Sequence, residues 1–177
     1  TYRQVELPPA PHALRLGTVE PTSFDPAVVT DGASAGVMHQ LFCGLVTLDD
    51  GLAVVPDIAQ SWQIAKDGSQ YIFHLRHDLT WSDGVQVTAA DFEYAWKRLL
   101  NPATDFPNAS LLYPIKHARK FHQGTFSDPA QLGVRSAGDF TLIVELEEPA
   151  GYFLQLMTHE AAYPLPRHVV EAYGETW

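Results

Sequence analysis

The sequence predicts an α/β fold of the mixed α+β kind, with antiparallel hairpins gathered on one side of the molecule. Three observations carry this expectation. Lys66-Asp67-Gly68-Ser69 separates two alternating extended runs, and Asp-Gly between such runs is a strong short-range hairpin signal. Thr88 precedes Phe92, Ala95, Trp96, Leu99 and Leu100, an apolar stripe at helical spacing. Gly138-Asp139 precedes Phe140, Leu142, Val144 and Leu146, which alternate with Thr141, Ile143, Glu145 and Glu147 as the two faces of a strand do.

The elements follow in order. Pro8, Pro9 and Pro11 fix φ in the opening stretch, so residues 1–13 read as an extended tether. Leu14 and Leu16 alternate within residues 13–19, a short strand, before Pro21 and Pro26 interrupt regular structure. Val37, Met38, Leu41, Phe42 and Leu45 then recur at helical spacing, with Ser34 as the expected N-cap and Gly44 as the stop. Residues 45–51 are extended. In the hairpin that follows, Tyr71, Phe73 and Leu75 share one face, while Ile72, His74 and Arg76 share the other. Ser82-Asp83-Gly84 reads as a turn.

The helix over 89–100 has Thr88 as its cap, Asp91 complementing the exposed amides of its first turn, and Asn101-Pro102 as its end. Residues 103–133, rich in proline and aromatics, predict one or two short helices. Pro149 closes the second strand unit. Residues 151–157 look helical, and Pro166 suits the first position of a final helix.

Composition limits the function. With 46% hydrophobic and 18% charged residues, the 177-residue chain is globular in character, and its size suits one core or two small ones. A formal charge of −10, from 21 acidic and 11 basic residues, opposes nucleic-acid binding, which needs clustered cations. The sequence as given shows no bilayer-length apolar run and reads as soluble. Its one cysteine, Cys43, has no internal partner and is expected to be a small buried hydrophobe.

Catalytic patterns are missing. His74 and His77 fall three apart in a strand-like run and point to opposite faces, and His117 and His122 do not share a helical face, so no metal site is expected. There is no nucleophile elbow and no phosphate-cradling glycine loop. Neither an enzyme nor a cofactor is expected. The residues alone describe an acidic α/β domain compatible with a noncovalent binding module.

The ordered string LFCGLVTLDDGLAVVPDIAQSWQIAKDGSQYIFHLRHDLTWSDGVQVTAADFEYAWKRLLNP resembles the signature region of the family 5 extracellular solute-binding proteins of peptide ABC transporters. GTVEPTSFDP upstream and ASLLYPI and FTLIVELEEPAGYFLQLMTHEAAYPLPRHVVEAYGETW downstream extend the likeness over nearly all residues after about 13. The resemblance implies part of a two-lobed periplasmic-binding-protein fold that closes over its ligand. On that template, 1–42 is the tether and start of the first lobe, 43–155 an inserted smaller domain, and 156–177 the return to the first lobe. The second lobe would be absent and the chain an N-terminal fragment.

The resemblance further implies an oligopeptide ligand, an ABC transporter permease as partner, and a monomer. It places the protein in a periplasmic or extracellular, membrane-associated setting after removal of a signal peptide, with any tether outside this chain. Thr30, Asp31 and Gly32 match the segment that pairs with peptide backbone, and His159 matches a histidine on the cleft side. Asn108 stands where relatives carry an aromatic cleft contact. Two alternatives stay open: another small solute such as nickel or haem, and a sensory or regulatory protein using the same domain.

Overall fold

The computed structural model describes residues 20–104 and 106–177, so the tether and strand expected within 1–19 lie outside the described residues. The chain runs α1 (Gly32–Leu41), β1 (Val46–Leu48), β2 (Val54–Pro56), β3 (Ala59–Ile64), β4 (Gln70–Leu75), α2 (Ala89–Leu99), α3 (Ala118–His122), β5 (Val134–Ser136), β6 (Thr141–Glu145), α4 (Phe153–Leu156) and α5 (Arg167–Tyr173). Short 3-10 turns at Ala109–Leu112, Pro129–Gln131, Glu160–Ala162 and Gly174–Thr176 punctuate it.

A four-stranded antiparallel sheet in the order β3-β4-β6-β5 forms the centre, and β1 and β2 make a separate two-stranded hairpin. The expected alternation holds in β4 and β6. Tyr71, Phe73 and Leu75, with Leu142 and Val144, are buried on one face, where α2 lays down Phe92, Ala95, Trp96 and Leu99. Each large apolar side chain buried this way contributes about 1.5–3 kcal/mol. The hairpin turn tightens on Gly68, whose φ of 73° suits glycine, with the Gly68 amide donating to the Ala65 carbonyl at 2.8 Å.

At the start of α2 the carboxylate of Asp91 accepts from the Thr88 amide at 2.8 Å and the Thr88 hydroxyl at 3.2 Å, so donors exposed at the helix entry are satisfied. Two contacts fasten α2 to distant segments. The Trp96 indole donates to the Ala162 carbonyl at 2.9 Å, and the Arg98 guanidinium donates to both oxygens of Asp25 at 3.2 and 2.6 Å in a largely buried pair.

Several expectations need correction. Asp31, not Ser34, caps α1, because the Asp31 carboxylate accepts the Ser34 amide while Ser34 itself is fully buried. The helix ends at Leu41, which is 60% exposed, because Phe42 turns into extended backbone leading to β1. Gly44 is therefore no helix stop. A Cβ there would meet the Tyr163 ring at 2.8 Å, so close packing requires the glycine.

Cys43 is exposed rather than buried, since it sits on the extended linker beyond the helix. His77 lies past the end of β4 in a bend and stacks on Phe140 with ring centroids 4.1 Å apart. Pro166 precedes α5 as its cap residue, one position earlier than expected, and the helix within 151–157 is a single turn. Strand β2, which sequence periodicity did not indicate, pairs with β1 across the loop 49–53.

Candidate ligand-binding face

The Thr30-Asp31-Gly32 segment is held from below. Asp31 accepts from the Ser34 amide at 2.9 Å, the Ser34 hydroxyl at 2.7 Å and the Thr22 hydroxyl at 2.7 Å. Those bonds, the Ser34 ones first, hold its carboxyl down at about 2. With its carboxylate so engaged, Asp31 shapes the segment while its neighbours face outward. Thr30 and Gly32 are exposed, and a Cβ at Gly32 would meet nothing within 4 Å, so backbone here is open to an approaching chain.

Asn108 is brought to the same place. Its side-chain amide donates to the Val29 carbonyl at 2.7 Å, a bridge across 79 residues that fixes the backbone just before Thr30. His159 stands elsewhere. It caps the turn Glu160–Ala162 through Nδ1, which accepts from the Ala161 amide at 3.1 Å. Its carboxylate neighbour Glu160 lies 3.8 Å from Nε2 of His39, in the last turn of α1. The Asp31 and His39 ends of that helix are separated by roughly 12 Å at 1.5 Å per residue.

His159 lines a cavity of about 450 Å³ with His39, Thr47, Leu111, Thr158 and Glu160. The His39 ring pairs with the Tyr163 hydroxyl, Nδ1 to oxygen 2.7 Å, and burial followed by the nearby Glu160 charge pushes the Tyr163 phenol up to about 12. Tyr163 therefore keeps its proton across the physiological range. Sequence reading missed His39, Glu160 and Tyr163, whose contacts join positions 124 residues apart in the case of His39 and Tyr163. A wider hollow of about 840 Å³ opens between Tyr113, Arg119, Glu147 and Tyr152, away from Thr30–Gly32.

The remaining candidates for chemistry have structural partners. His74 meets Gln63 at 3.2 Å, His122 meets the Tyr113 hydroxyl at 2.8 Å, and His168 meets Asp83 at 2.5 Å. Among the described residues no three His, Cys, Asp or Glu side chains are arranged to hold a metal ion. Desolvation and the adjacent Asp57 carboxylate push the Cys43 thiol up, the direction opposite to that of an activated nucleophile. What the face offers is exposed backbone, imidazoles and one buried carboxylate, a set suited to noncovalent recognition.

Comparison with known proteins agrees with that chemistry. The profile of the bacterial extracellular solute-binding proteins, family 5 Middle, matches residues 53–176. The periplasmic oligopeptide-binding protein OppA of Haemophilus influenzae is 39% identical over 168 residues, 94% of this chain and 31% of that relative. The probable deoxycholate-binding periplasmic protein YgiS of Escherichia coli is 38% identical, covering 89% of this chain and 30% of its own.

Among solved structures, Haemophilus influenzae OppA in complex with the peptide RPPGFSPFR superposes with a TM-score of 0.85 at 41% identity, over 89% of this chain and 31% of that one. Listeria monocytogenes OppA bound to peptide does so with a TM-score of 0.87 at 30% identity, over 91% of this chain and 32% of that one. The chain thus spans about a third of the length of the relatives it matches. With the sequence string, the sheet topology and the family profile in agreement, this chain belongs to the bacterial extracellular solute-binding proteins of family 5.

Proposed function

We propose that this chain forms one wall of the cleft in which the substrate-binding component of an ABC transporter captures oligopeptides for delivery to its permease. The observation that carries the reading is the likeness, over about nine-tenths of the chain, to two oligopeptide-binding proteins solved with peptide bound. The exposure of Thr30 and of the Gly32 backbone supports it, because main-chain hydrogen bonds to an extended peptide give affinity without reading side chains. Asn108 contributes by fixing the Val29 carbonyl and so the start of that segment. His159 belongs to the same wall at the far end of α1.

Under this proposal residues 1–42 and 156–177 belong to the first lobe and 43–155 to an inserted smaller domain, with the opposing lobe supplied by sequence beyond this chain. The mechanism is closure around a bound ligand without bond making or breaking, by a monomer in the periplasmic or extracellular space, tethered to the membrane outside this segment.

Calorimetry on a protein of the relatives' full length carrying this sequence, titrated with mixed tri- to pentapeptides, tests the reading. Saturable heat with peptides supports it. One relative's name favours a second ligand class, a bile acid. Saturable binding of deoxycholate with none of any peptide would replace the first reading by that one.

A further inference from the structure

Glu160 is a buried carboxylate that faces two imidazoles. Its side chain is 10% exposed and lines the 450 Å³ cavity, and no donor among the described residues hydrogen-bonds its carboxylate. Oε2 stands 3.5 Å from Nδ1 of His159 and 3.8 Å from Nε2 of His39. The first of these nitrogens is accepting from the Ala161 amide and so presents a lone pair there rather than a proton. The His39 ring is anchored through its other nitrogen to Tyr163. Burying a carboxylate with only these two imidazoles nearby and no hydrogen-bond donor among the described residues is unfavourable, and a cation entering the cavity would relieve that cost.

The cavity walls fit one kind of cation. Leu48, Leu111 and Leu156 offer apolar surface, while Thr47 and Thr158 add hydroxyls. An aliphatic stem bearing a charged head matches this set, with methylenes against the leucines and the head at Glu160. We propose that Glu160 is a specificity-determining residue that receives a basic side chain, lysine or arginine, of a bound peptide. This rests on the peptide-capture reading above.

The test compares Ala-Lys-Ala with Ala-norleucine-Ala, which has the same stem without the charge, by calorimetry on the full-length protein. The lysyl peptide should bind about tenfold more tightly. In Glu160→Gln the ratio should fall to near one, and in Glu160→Asp the preference should persist. A wild-type ratio near one overturns the subsite without recourse to any variant, as does a ratio unchanged in Glu160→Gln or lost in Glu160→Asp. Binding of neither peptide by the wild-type protein overturns the peptide-capture reading instead, and the subsite with it.

Discussion

Asp31 illustrates how a residue of a proposed ligand-contact segment can act through its neighbours. Three hydrogen bonds from Ser34 and Thr22 fill its carboxylate, so its task is to pin the start of α1 and leave Thr30 and Gly32 facing outward. Its folded-state carboxyl is depressed from 3.8 to about 2, so the stability it contributes is complete above 3.8 and is lost as pH falls through that value toward 2. Carboxyl titration followed by NMR should place the Asp31 midpoint near 2. A midpoint near 3.8 would show that the capping bonds are not held in solution. In Ser34→Ala, which removes one of the donors, the Asp31 midpoint should move upward.

Among the elements, α2 joins the sheet to the site. One of its faces packs on β5 and β6, and its Trp96 indole holds the Ala162 carbonyl at the end of the turn that carries Glu160. Trp96→Phe removes the donor and leaves that buried carbonyl unpaired. Stability should fall by about 1–3 kcal/mol, read as a lower urea midpoint. An unchanged midpoint would show that the contact carries no weight.

The same element was legible in the sequence because its signals are local: Thr88 and Asp91 three residues apart, a stripe at helical spacing, and Asn-Pro at the end. The β3-β4 hairpin was legible for the same reason, with Asp67-Gly68 at its turn. The start of α1 was misread because Asp31 and Ser34 are both cap-forming residue types, and only packing, which buries Ser34, decides between them. The end of α1 was misread because Gly44 answers to Tyr163, more than a hundred positions away, and not to the helix.

For the whole molecule, the residue-level reading reached a binding module, and the resemblance supplied the kind of module. Composition argues against nucleic acid through the charge of −10, but no pattern of spacing brings Asn108 to Val29 or His39 to Glu160. Those contacts arise from the packing of α1 and two 3-10 turns from distant parts of the chain. Under the proposed reading one wall cannot enclose an extended peptide, so the 177-residue chain alone should bind far more weakly than a protein of the relatives' full length carrying this sequence.

Hydrogen exchange on a protein of the relatives' full length carrying this sequence, with and without a saturating peptide, reports where the ligand lies as well as whether it binds. Peptide should slow amide exchange in the segment containing Thr30–Gly32 and in the turn following His159. Saturated binding with unchanged exchange in both segments would contradict the assignment of this chain as a wall of the peptide cleft.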